Sequence, residues 1–133
     1  MPNSPSLALP NPASYTDNGN GTVTDNVTGL VWEKNVNSSN FSWADAKAYC
    51  AGLPTAGGGW RLPSRMELVS IVDLTKSNPA IDTTAFPNTP SQAFWSASAW
   101  AGSSSGAWNV LFYDGTTGFG YDVSTKLWVR CVR

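Results

Sequence analysis

Cys50 and Cys131 are the only cysteines of this chain, one inside a stretch with helical periodicity and the other two residues from the end. A bond between them would close a loop holding most of the foldable sequence, and chain entropy alone would then stabilise the native state by about 4–5 kcal/mol, less any strain. Such a bond would hold a frame at its two ends and leave the stretch between open to carry function. Two cysteines do not by themselves fix the redox compartment. The 133 residues suit one domain with a real core, and only 13% of them are charged, with a net charge of -1. Lys and Arg form no long run, so the electrostatic footprint of a nucleic-acid or anionic-membrane partner is missing. No apolar run reaches the length of a membrane span, and residues 1–12 lack the basic start and apolar stretch of a secretory signal. Seven tryptophans, abundant Ser, Thr, Asn and Gly, and few charges fit a secreted or surface-displayed domain.

Residues 1–13 are rich in proline and aperiodic, and read as a tail or linker; residues 14–133 read as the domain. Asp17-Asn18-Gly19-Asn20-Gly21 predicts a hairpin between Tyr15-Thr16 and Thr22-Val23-Thr24, and a second turn at Asn26-Val27-Thr28-Gly29 leads into a strand at Leu30-Val31-Trp32-Glu33. The acidic and amide residues of the first turn do not make an EF-hand, because Gly19 stands where the second oxygen ligand belongs and no Glu closes the loop. Ser42-Trp43-Ala44-Asp45 starts a helix whose Trp43, Ala46, Cys50 and Leu53 share a face, so Cys50 is expected to point inward. Ser64 with Glu67 forms a full capping box, opening a second helix with Leu68, Ile71 and Val72 as its buried stripe and Asn78-Pro79 beyond its end. Gly57-Gly58-Gly59 permits a sharp reversal between the helices, ahead of Trp60-Arg61-Leu62-Pro63.

The last forty residues read as strands and turns. Alternation in residues 108–113 predicts Trp108, Val110 and Phe112 on the core side and Asn109, Leu111 and Tyr113 outward. Asp114-Gly115 is a two-residue hairpin signal, after which residues 116–121 should return alongside. Near the end, Cys131 assigns Val129 and Leu127 to the inward side. Helices followed by antiparallel strands, with the first and last strands together, give an α+β domain. Trp32, Trp43, Trp60, Trp95 and Trp108 are expected in the core, and Arg61 and Arg130 are expected to satisfy buried carbonyls or carboxylates, with Asp73 or Glu67 as partner.

Absences bear on the chemistry. The chain has no histidine, which removes the usual general base, the usual metal ligand and any Ser-His or Cys-His arrangement. Asp114 and Asp122 could face each other across a hairpin, but two acids beside a turn read first as solvated surface. No catalytic residue, metal or cofactor is expected. Sequons at Asn20, Asn26, Asn37 and Asn40 lie in Asn-rich turns that produce them by chance.

Several motifs in order, Tyr15-Thr16-Asp17-Asn18-Gly19, Gly21-Thr22-Val23-Thr24-Asp25, Thr28-Gly29-Leu30-Val31-Trp32, Trp43-Ala44-Asp45-Ala46, Trp60-Arg61-Leu62-Pro63, Phe94-Trp95-Ser96 and Val129-Arg130-Cys131-Val132-Arg133, resemble the domain family named after the C-terminal domain of the bacterial collagen-like adhesin Lcl. The resemblance spans about residues 15–133. It implies a C-type-lectin-like fold with two helices packed on antiparallel sheets, Cys50 joined to Cys131, and a binding domain of bacterial, phage or archaeal-virus surfaces in place of an enzyme. Calcium-dependent sugar lectins carry a Glu-Pro-Asn or Gln-Pro-Asp loop followed by Trp-Asn-Asp; here Trp108-Asn109 is followed by Val110 and that loop is missing. Formylglycine-generating enzymes share the broad fold but need active-site cysteines.

A narrower resemblance links residues 95–133 to the variable regions of retroelement-diversified proteins, in which core positions alternate with outward residues reachable from Asn codons by changing adenines. Trp100 and Trp128 are not reachable from Asn codons, so Trp128 is assigned to the scaffold and Trp100 is kept as a contact candidate. The ligand-binding set is then Trp100, Asn109, Leu111, Tyr113, Asp114, Thr116, Thr117, Phe119, Tyr121, Asp122 and Thr125, with tyrosine supplying stiff amphipathic area. Three readings follow: a display domain for a protein or glycan receptor, an adhesin tip for sulfated polyanionic glycans, or an oligomerising cap of a stalk.

Overall fold

Turn chemistry organises the first third of the chain as the sequence predicts. In the computed structural model, which describes residues 12–102, 105–118 and 121–133, β1 (Tyr15–Asp17), β2 (Thr22–Asp25) and β3 (Val31–Glu33) form one antiparallel sheet in that order. Asp17 accepts the Gly19 N–H at 2.9 Å to close the first turn, and Asp25 accepts the Val27 and Thr28 N–H groups to close the second. The register pairs Tyr15 with Asp25 and Val23 with Trp32.

α1 (Trp43–Gly52) starts at Ser42, whose hydroxyl accepts the Asp45 N–H, and it buries Ala46 and Cys50. α2 opens with the predicted capping box, in which Ser64 and Glu67 each accept the other's backbone N–H. It runs only over Arg65–Val69, shorter than the stripe through Val72 implied. The Ser70 hydroxyl bonds the Glu67 carbonyl, and Ile71 and Val72 make three-residue backbone bonds, so this β-branched stretch tightens into turns. Leu68, Ile71 and Val72 are nevertheless all buried.

The second antiparallel sheet is β4 (Ala93–Ala99), β5 (Ala107–Leu111) and β6 (Thr116–Gly118), in that order. Residues 127–133 stitch the two sheets together. Trp128 exchanges backbone hydrogen bonds with the β4 residues Ala93 and Trp95, Arg133 exchanges two with Val31, and the Cys131 carbonyl accepts the Glu33 N–H. The chain end thus pairs with β3, and β1 lies on the far side of β2; this corrects the expectation that the first and last strands pair. Cys50 and Cys131 are bonded, tying α1 to the final segment across a separation of 81 residues.

Two cores result. One joins the sheets and α2 through Val23, Trp32, Leu68, Phe86, Phe94, Val110 and Phe112; the other packs α1 on Ala93, Trp95, Ala107, Val129 and the disulfide. β4 and β5 are therefore covered on both faces. Trp32, Trp60 and Trp95 are buried as expected, whereas Trp43 and Trp108 are only half-buried, with Lys47 and Arg65 lying over their rings. Arg130 is fully buried and donates to the Glu33 and Lys34 carbonyls and to the Thr89 hydroxyl. Arg61 forms a two-pronged ion pair with Glu67 at 2.6 and 2.7 Å. Among the described residues no helix is long and apolar enough to cross a membrane.

Candidate functional site

β5 ends at Leu111, and residues 112–115 form a four-residue connection to β6, two more than Asp114-Gly115 alone suggested. The extra residues are held by neighbours. Phe112 donates to the Gln92 carbonyl, and the Phe112 and Tyr113 carbonyls accept the Ala80 and Asn78 N–H groups at 2.7 Å. Gly115 closes the loop with φ +85°, and a Cβ there would come within 2.6 Å of Val72 Cγ1, so only glycine fits on both counts. Tyr113 stands on this pinned backbone with 53% of its surface exposed.

A second loop lies at the other end of β5. Asp122 bridges Gly106, and the Val123 N–H and carbonyl bond to Ser105 and Trp43 respectively. Tyr121, 45% exposed, sits beside it. Asp114 accepts the backbone N–H and hydroxyl of Thr116, and Asp122 accepts the hydroxyl and N–H of Ser124. These bonds hold both carboxyls below the usual carboxylate range. The two acids lie at opposite ends of a five-residue strand, about 17 Å of chain, so they do not make the facing pair that a hairpin could have given.

The predicted contact residues divide. Asp114, Thr116, Thr117, Tyr121 and Asp122 are exposed with Tyr113, and Thr125 and Trp100 are half-buried, the Trp100 ring lying against Gly102. They form a strip running along β6 and both loops in place of one compact patch. Asn109 departs from the outward expectation: it is buried, 2% exposed, because α1 and its core cover that face of β5. Leu111 is half-buried against the same core. Phe119 lies outside the described residues.

Titrating groups of the interior concentrate elsewhere. Burial pushes the Glu33 carboxyl up, although its oxygens accept the Tyr49 hydroxyl and the Cys131 N–H, and burial lowers the Arg130 guanidinium to about 10. The Tyr49 phenol is pushed up by its burial and by Glu33. This cluster joins β3, α1 and the chain end, and in it Arg130 satisfies buried carbonyls as the sequence predicts. Reasoning from the sequence also missed a cleft of about 370 Å³ lined by α1, residues 60–64 and β4. No group of three or more Asp, Glu or Cys among the described residues is arranged to hold a metal ion.

These features define a disulfide-linked α+β domain with two three-stranded antiparallel sheets bridged by its own C-terminal segment. The model of the Lcl C-terminal domain family matches residues 21–133, and the chain belongs to that family. No curated protein matches the chain.

Proposed function

We propose that this is a non-enzymatic recognition domain of C-type-lectin-like fold, displayed on a bacterial, archaeal or viral surface, that binds a protein or glycan receptor through Tyr113, Asp114, Thr116, Thr117, Tyr121 and Asp122. Family membership supports a ligand-binding role. The observation that carries the reading is how the exposed strip is held: its loops are anchored chiefly by main-chain atoms of residues 112, 113, 115, 122 and 123. Main-chain anchoring is indifferent to the side chains displayed, which is what a surface altered by a diversifying retroelement requires. The buried Cys50–Cys131 bond supports an oxidising, extracellular location.

The sulfated-glycan alternative gains little from the cations. Of eight Lys and Arg, Lys34 and Arg61 are ion-paired, Arg130 is buried and Arg133 donates to the Ala56 and Gly58 carbonyls. The test uses the labelled domain on a panel of glycans and immobilised surface proteins at about 0.1 and about 0.5 M salt, a roughly twofold change in screening length. The wild type should bind a panel member at both salt concentrations, and the Tyr113→Ala/Tyr121→Ala protein should lose at least about tenfold in affinity. Undiminished binding by the double variant overturns the reading, and binding confined to low salt moves it to the polyanion alternative.

A further inference from the structure

A cleft opens where α1 faces residues 60–64 and the middle of β4, and none of its lining residues belongs to the recognition strip. Its apolar lining comes from Ala51, Trp60, Leu62 and Ala97, of which Trp60 and Leu62 are buried and Ala51 and Ala97 exposed, and its volume is about 370 Å³. That lies at the small end of the range for organic-ligand pockets. Its only charged lining residues are cations, Lys47 and Arg61. Arg61 is neutralised by Glu67, which also caps α2 and so holds the guanidinium at a fixed place on the rim.

Lys47 is in a different state. Its ammonium lies 3.6 Å from the centroid of the Trp43 ring, one helical turn back, and the Trp43 indole N–H is itself fixed to the Ser96 carbonyl at 2.8 Å. The charge of this cleft-lining residue is thus held in place, and among the described residues no carboxylate pairs with it. A positioned cation with unspent donors in the lining of a mostly apolar cleft has the polarity to select a ligand with one anionic end and an apolar body.

We infer that this cleft is a binding site for a small amphipathic carboxylate, its carboxyl group on Lys47 and its apolar body over Ala51, Leu62 and Ala97. The charge complementarity excludes amines of the same shape, and the apolar lining excludes small hydrophilic anions that leave it wet. The site works independently of any receptor bound by the strip, so failure of one reading leaves the other standing.

Titrating the whole chain with 3-phenylpropionate, followed by amide NMR shifts and calorimetry, tests the inference. Saturable shifts at Ala51, Leu62 and Ala97 are expected, with 3-phenylpropylamine and acetate at least about tenfold weaker. Lys47→Met should weaken the carboxylate about fivefold and Lys47→Glu more than tenfold, each with an unchanged melting temperature, because this is a partly solvated charge contact. Ala97→Trp, which fills the cleft, should abolish the shifts. Equal affinity for carboxylate and amine, undiminished binding by Lys47→Glu, or no shifts at these amides would overturn the assignment.

Discussion

The C-terminal segment and the β5–β6 hairpin are both held by backbone hydrogen bonds to several neighbours, yet they treat side chains in opposite ways. In the segment, Val129, Arg130, Cys131 and Val132 are all at most 1% exposed, and three of the ties are made by side chains: the disulfide, the Arg130 donors and the Glu33 carboxylate that receives the Cys131 N–H. In the hairpin and the loop beyond it, the ties to the body run through the main chain and the side chains of Tyr113, Thr116, Thr117 and Tyr121 point to solvent. One region spends its side chains on holding the domain together. The other is tied to the body without them, Asp114 and Asp122 closing only their own turns, so sequence change should be costly in the first and cheap at the exposed positions of the second apart from those two.

The largest effect should come from the frame. Replacing Cys50 and Cys131 together by Ala should lower unfolding free energy by about 4–5 kcal/mol, read from the denaturation midpoint, because the 81-residue separation no longer restrains the unfolded chain. A loss under about 1 kcal/mol would remove the contrast between the regions. Arg130→Met should come next, at about 3–5 kcal/mol, since it removes the donors that the Glu33 and Lys34 carbonyls and the Thr89 hydroxyl oxygen accept. If the methionine protein is as stable as the wild type, the buried guanidinium is a passenger and the frame rests on the disulfide and packing alone.

Glu67 tests an intermediate case, a half-buried side chain that caps α2 and pairs with Arg61. Glu67→Gln should cost about 1 kcal/mol at neutral pH. The Arg61 guanidinium, together with the Ser64 N–H, holds the Glu67 carboxyl down at about 2, against an ordinary value of 4.5. Its stabilisation is therefore complete above pH 4.5 and is lost as pH falls through about 2. The wild-type melting temperature should fall more steeply than the variant's across that window. Parallel curves would mean that the ion pair adds nothing beyond the cap.

Much of the frame was legible because local chemistry and fold agree there. Ser64 with Glu67, the Asp17 and Asp25 turns and the inward face carrying Cys50 are each specified within a few residues. What was not legible depends on what packs against an element. Asn109 alternates like a solvent-facing residue, and nothing in residues 108–113 reveals that a helix sixty residues earlier covers that side. The same ignorance made Trp43 and Trp108 look like core and hid the cleft, whose walls come from three distant stretches. Tyr113 and Tyr121 are exposed as the sequence predicts, but their separation by the length of β5 follows only from the Gly106–Asp122 bridge.

The smallest expected effect is the one the comparison most needs. Changing Tyr113 and Tyr121 to Ser and Thr117 to Asp alters three exposed positions without touching the hydrogen bonds that fix residues 112–115 and 122–123. Exposed substitutions clear of caps and buried networks cost about 0.5 kcal/mol or less each, so the three together should shift the melting temperature by no more than about 6 °C for a domain of this size. Gly115 marks the limit of the tolerance, since any side chain there meets Val72 and Leu74. A triple variant that melts many degrees lower would show that the tyrosine rings brace the loops. The hairpin would then belong with the C-terminal segment as framework, and the surface available for recognition would shrink to the loop around Asp122 and Thr125.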